Sequence, residues 1–300
     1  MRCIFCKQDS SASRSVEHLM PESIGSRKRV LKPGVVCDQC NNYFSRKVEA
    51  PILTHPSMRN FRAWYQVPNK RGKFPSVVGH IAGTNIAVGL RRDRDGRLQI
   101  EAERALEMPH LRSELERGLQ SPLLFKIEMD PPKREMSRFL CKMALESLAE
   151  TLSSKDDGTE MMVEAEFYEN ARNYARYGTN FPNWPYSQRR IFPNETLMRH
   201  PDTDEWVQAG FGCCWFMSMH RETLFAFCFY GVEFVINVGG PSIRGYQQWL
   251  EKHGNISPMV ERVGCQLTTE GEGRTQRHYL HGTFNAHKGL EFDRLHGYAP

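Results

Sequence analysis

Met1-Arg2-Cys3-Ile4-Phe5-Cys6 opens the chain, and Val35-Val36-Cys37-Asp38-Gln39-Cys40-Asn41-Asn42 follows, with 30 residues between the two cysteine pairs. Two Cys-x-x-Cys pairs in one short segment are the sequence sign of a four-thiolate zinc site. Each pair forms a knuckle that presents two sulfurs, and four sulfurs close the ion's tetrahedron. No position is left for water, so such a site is structural. Cys3, Cys6, Cys37 and Cys40 are therefore the expected zinc ligands. The remaining cysteines, Cys141, Cys213, Cys214, Cys228 and Cys265, show no ligand spacing and read as small apolar core residues.

The segment between the knuckles carries chemistry-bearing residues. An extended run ends at Glu17-His18, and Pro21 bars helix there. Gly25-Ser26-Arg27-Lys28-Arg29 makes a basic loop. Val30-Leu31 precedes a Pro33-Gly34 turn that leads to the second knuckle. From Asp38 onward the apolar residues Phe44, Val48 and Ile52 recur every four positions, which predicts a helix over 38–48 with Pro51 ending its regular part. Asp38 would complement the helix dipole in the first turn, and Asn41 and Ser45 share one stripe.

Strand, basic loop, strand and helix, with both ends pinned by zinc, resemble the HNH (ββα-metal, or His-Me finger) endonuclease family. The likeness is to the branch running CxxC, Glu-His-x-x-Pro, Gly, then CxxC-Asn-Asn, and it covers about residues 1–55. The resemblance implies that His18 is the general base for the attacking water. It implies that Glu17 and Asn41 are ligands of a catalytic divalent ion; both offer hard oxygens, which suit Mg²⁺ or Mn²⁺. Arg27, Lys28 and Arg29, with Arg46 and Lys47 on the helix, would hold the DNA backbone without reading sequence. One departure stands out. Many members place an Asn in the hairpin before the second knuckle to fix the loop of the catalytic His, and here Leu31-Lys32-Pro33-Gly34 has none. A zinc-stabilised nucleic-acid-binding protein without cleavage therefore stays open beside the nuclease. For an isolated Glu-His pair the plain reading is a surface histidine beside a solvated carboxylate; the surrounding frame is what argues for function.

Charge is distributed unevenly. Residues 1–60 carry ten Lys/Arg against five Asp/Glu, which accounts for the whole formal excess of +5, while the remainder is balanced. A polyanionic partner for the N-terminal segment fits that asymmetry, as does a solvated basic surface. With 25% charged and 40% hydrophobic residues the chain is of ordinary globular composition. No apolar run reaches 18 residues and the N-terminus has no signal-peptide pattern, so a cytoplasmic location is expected.

The expected fold class is α+β: the finger over 1–55, a linker over 56–75, and an α+β domain over 76–300 with a helix pair and an antiparallel sheet. The linker mixes aromatics and bases (Phe61, Arg62, Trp64), which suits either base stacking or packing on a neighbour. Strands are expected at 77–81, 86–90 and 98–100, with Arg94-Asp95-Gly96-Arg97 as a turn. Helices are expected at about 134–153 and at 159–177, the latter with Thr159 as N-cap and Gly178 just beyond its end. A Pro- and Asn-rich loop is expected over 179–205, and strands at 213–219, 223–229 and 233–238. What the larger domain does is not written in its sequence; dimerisation or sensing of a small-molecule regulator are both compatible with it.

Overall fold

The computed structural model describes residues 1–24, 29–65, 67–69, 71–92, 98–117, 122–193, 196–199, 206–208, 212–219, 222–262, 267–268, 279–285 and 289–296. The chain forms an α+β structure in two compact units. Met1–Ile52 joins the segment from Pro132 onward in one, and Leu53–Pro131 makes the other.

In the first unit the finger begins with a tight knuckle. Lys7 turns with φ 60°, its N–H reaches the Cys3 carbonyl at 2.9 Å, and the Cys3 N–H reaches the Gln8 carbonyl at 2.9 Å. The knuckle rests on the Pro33-Gly34 turn. Gly34 has φ 92°, the left-handed conformation that the third residue of a Pro-Gly turn requires. A Cβ there would come within 3.0 Å of the Ser10 carbonyl, whose Oγ donates to the Gly34 carbonyl at 2.6 Å. β1 (Glu17–His18) pairs antiparallel with β2 (Val30–Leu31), Glu17 opposite Leu31 and His18 opposite Val30. α1 (Asp38–Phe44) follows, with the Cys37 sulfur accepting from the Cys40 N–H as N-cap.

The helix does not stop at Pro51. It runs through a π turn, Ser45–Glu49, in which the Ala50 N–H bonds the Ser45 carbonyl, and resumes over Ala50–Thr54. A proline ring clashes with the carbonyl four residues back; one wider turn relieves that clash without breaking the helix. Ile4, Phe5, Leu19, Leu31, Phe44, Val48 and Ile52 form the finger's buried side, with the Phe5 and Phe44 rings 4.4 Å apart.

The rest of this unit is built around the helix Lys133–Leu152. Its central stretch is buried on nearly every side, including Met136, Phe139, Leu140, Met143 and Leu145, as a core helix should be. The expected 159–177 helix is divided. Gly158–Glu164 is helical, Ala165 is extended, and Glu169–Tyr177 resumes after a short 3₁₀ turn. Asp157 rather than Thr159 occupies the N-cap. The break frees the Met162 carbonyl, and the buried Arg172 guanidinium takes it at 2.9 Å. Gly178 ends the second piece in the left-handed conformation, as expected.

The three strands Gly212–Met219, Glu222–Phe229 and Val232–Asn237 form an antiparallel sheet, and Tyr186–Arg190 adds a fourth beside the last. The long loop expected over 179–205 is thus corrected in part. Tyr-Ser-Gln-Arg-Arg is too polar to read as a strand, yet it suits a sheet edge, where polar residues discourage further pairing. Leu197–Arg199 also forms a strand, in a second sheet with Trp206–Gln208, Leu267–Thr268, Tyr279–Asn285 and Gly289–His296.

The second unit begins in the stretch expected as a linker, which is helical over Pro56–Trp64 and buries Phe61 and Arg62. Asn60 pins this helix to a sheet, donating to the Val78 and Lys126 carbonyls at 2.7 and 2.9 Å and accepting from the Val78 N–H at 2.6 Å. The sheet has the order Leu98–Ala102, Ala87–Arg92, Val77–Ile81, Leu123–Phe125, antiparallel throughout. Ile81 and Val88 pack with Leu111 of the helix Met108–Glu116 as its core. The 94–97 turn lies outside the described residues.

Candidate active site

The four cysteine sulfurs lie within 4.8 Å of one another, and those of Cys6 and Cys37 are 3.6 Å apart. A tetrahedral zinc with Zn–S of about 2.3 Å spaces its sulfurs by about 3.8 Å. Backbone N–H groups already point at the cluster: Cys37 donates to Cys3 Sγ at 3.3 Å and Cys40 to Cys37 Sγ at 3.4 Å. Crowding splits the thiols. A hydrogen bond from Cys40 holds Cys3 down at about 4, burial pushes Cys6 up to about 11, and the Cys3 contact drives Cys40 far above the ordinary thiol range. Four such groups cannot all ionise together without a cation, and the donor set fits zinc. Among the described residues no other group of His, Cys, Asp or Glu converges in this way.

The cysteine cluster anchors α1 through Cys37 and Cys40, and α1 lies beside the segment leading into β1. Asp38, in the first turn of α1, accepts from the Arg14 N–H and from the N–H and hydroxyl of Ser15. Those hydrogen bonds, Ser15's hydroxyl first, hold the Asp38 carboxyl below its ordinary range. Asn41 Nδ2 donates to the Val16 carbonyl at 3.2 Å, one residue before Glu17. The amide is thereby oriented, with Oδ1 the oxygen it can offer. Asn41 thus sits against the residue that precedes the Glu17-His18 pair.

His18 follows Glu17 in β1, and its side chain is 27% exposed. Its Nε2 is 3.9 Å from Glu22 Oε1, and its Nδ1 is buried without a partner among the described residues. Glu17 is almost fully buried, and its Oε1 accepts from Lys142 Nζ at 2.6 Å. Burial raises the Glu17 pKa, opposed in part by that ammonium. The same ammonium meets Glu49 Oε1 at 2.7 Å and Glu146 Oε2 at 2.9 Å. Burial alone would lower the Lys142 pKa; the three carboxylates outweigh it and hold it well above the ordinary lysine value.

Lys142 and Glu146 escape a sequence reading. Four residues apart on a helix, they have the spacing of a solvated ion pair, and only the all-round burial of the 133–152 helix distinguishes them.

The expected phosphate-binding residues divide. Arg46 and Lys47 are exposed and line an open cleft of about 220 Å³ with Gln39, Asn42 and Tyr43. Arg29 is turned to Glu150 instead, with Nε 3.1 Å from Oε2, and its side chain is 19% exposed. Arg27 and Lys28 lie outside the described residues.

Residues 3–57 match the HNH endonuclease family model, less than a fifth of the chain. Neither the curated proteins nor the solved structures yielded a match. The N-terminal segment is therefore an HNH endonuclease domain with a four-cysteine cluster, and the domain implies a nucleic-acid substrate. No helix among the described residues is long and apolar enough to cross a membrane.

Proposed function

We propose that this protein is a metal-dependent HNH endonuclease that hydrolyses phosphodiester bonds in DNA. The observation that supports the reading is the hydrogen bond from Asn41 on α1 to the carbonyl of Val16, the residue before Glu17-His18, inside the family match. In this reading His18 is the general base: a neutral imidazole takes the proton of the attacking water through one ring nitrogen. Glu17 and Asn41 hold a Mg²⁺ or Mn²⁺ ion through a carboxylate and an amide oxygen. When bound, that ion supplies charge stabilisation to the phosphate and the departing oxygen. Arg46 and Lys47 fix the backbone by charge, and the zinc knuckles hold α1 in register with β1.

Mg²⁺- or Mn²⁺-dependent cutting of linear duplex DNA tests the reading. Glu17→Gln and Asn41→Ala should raise the metal concentration for half-maximal cleavage, and unchanged metal dependence in both would contradict the assigned ligands.

A second reading has its own observation. With no Asn in the hairpin, His18 Nδ1 lacks an orienting partner among the described residues. A DNA-binding module without cleavage would retain binding after removal of free divalent ions and leave strands intact when Mg²⁺ is added.

A further inference from the structure

Lys142 is a fully buried lysine. Its side chain is 0% exposed, in the buried central stretch of the 133–152 helix, 85 residues beyond the family match. An ammonium has three N–H donors. Three carboxylates surround it at 2.6, 2.7 and 2.9 Å, so every donor has its acceptor and none is left for a substrate. Glu146 lies four residues on in the same helix and would neutralise the lysine by itself. Glu17 and Glu49 come from the finger, one from β1 and one from the turn after α1. Both finger acids thus converge on a single cation supplied from outside the finger. Glu146 Oε1 remains buried without a partner among the described residues, so the cluster is rich in carboxylate rather than in cation.

We infer that Lys142 is a positioning residue of the nuclease site, an inference that rests on the function proposed above: from a buried place on the 133–152 helix its ammonium clamps Glu17 by Oε1 and fixes which oxygen the carboxylate offers beside His18. The clamp also sets the local charge, since a fixed cation beside Glu17 weakens the attraction of a divalent ion by Coulomb repulsion.

The test uses the full chain, with Mn²⁺ binding followed by electron paramagnetic resonance alongside single-turnover cleavage. Lys142→Met/Glu146→Leu removes one charge of each sign from the helix and leaves Glu17 and Glu49 unclamped. The double variant should retain zinc, bind Mn²⁺ about tenfold more tightly, and cleave about 10²-fold more slowly at saturating Mn²⁺ with unchanged DNA affinity. A purely structural lysine would not produce tighter metal binding with slower chemistry. Unchanged Mn²⁺ affinity and rate would overturn the inference.

Should the double variant fail to fold, Lys142→Arg decides: it keeps the charge and changes the clamp. It should preserve Mn²⁺ affinity and lower the rate, and a wild-type rate would overturn the inference. If the wild type cuts no DNA, the Mn²⁺ titration still separates the two claims. Binding lost in Glu17→Gln and tightened in Lys142→Met/Glu146→Leu would uphold the clamp while the nuclease reading fails. Mn²⁺ binding indifferent to Glu17 would overturn the clamp itself.

Discussion

Glu233 is a buried carboxylate that accepts from the hydroxyls of Tyr246 and Ser257. Burial pushes its pKa above the ordinary glutamate value, and the two hydroxyls offset this only in part. The native state therefore holds that proton more tightly than the unfolded chain does. The resulting stability is fully present below the unfolded value, about 4.3, and is lost as pH rises through the raised native value. Glu233→Gln, close in shape and uncharged, should remove the dependence. Its Tm should gain on the wild type as pH rises from about 4 to 7; a constant Tm difference across that range would contradict the assignment. Arg172 makes a second test at this scale. It donates to the Ile4 carbonyl at 2.6 Å and the Met162 carbonyl at 2.9 Å, tying the first knuckle to the 158–177 region. Arg172→Met orphans both carbonyls and should cost about 2–4 kcal/mol in urea unfolding. A loss near zero would mean that water replaces the guanidinium.

Among the elements, β1 and β2 depend on the cysteine knuckles that flank them, since two-residue strands have little stability of their own. Cys37 has two tasks, as a sulfur of the cluster and as the N-cap of α1. Cys37→Ser should release the metal and lower Tm, with Asn41 losing its place beside Val16; retained zinc and an unchanged Tm would contradict this double role. These elements were legible because each has a local cause: Cys-x-x-Cys spacing, a Pro-Gly turn, an apolar period of four. The 133–152 helix was legible from its apolar spacing, and the 212–237 sheet from short apolar and aromatic runs separated by turn residues. What escaped has non-local causes. Tyr186–Arg190 is a strand only because Val232–Asn237 offers it an edge. The break at Ala165 is stabilised by Arg172, ten residues from the carbonyl it satisfies. The π turn before Pro51 depends on the helix being worth continuing, with Ile52 buried in the finger's core.

On the scale of the whole molecule, the finger is not an appendage. Within its compact unit it is bound to the segment from Pro132 onward by the Lys142 cluster, by Arg172 at Ile4, by Arg29 on Glu150, by Tyr43 on the Arg176 carbonyl, and by Arg2 on Glu160 and Glu164. Most of these partners are more than 90 residues away in sequence, so no reading of the finger alone reveals them. The Glu17-His18 pair, Asn41 and the four cysteines were legible in the sequence, whereas Lys142 and Glu146, which surround Glu17, were not. Residues 1–57 expressed alone should retain the cysteine cluster and cut no DNA, and full cleavage by that fragment would show that the larger body contributes nothing to the site.

In the proposed function His18 activates water in a divalent-ion-dependent nuclease. Plasmid cleavage at low salt with Mg²⁺ or Mn²⁺, wild type against His18→Ala, tests it most directly. The wild type should give nicked and linear plasmid and the variant a rate at least about 10²-fold lower, with zinc content and Tm unchanged. Equal cleavage by the two proteins would contradict it.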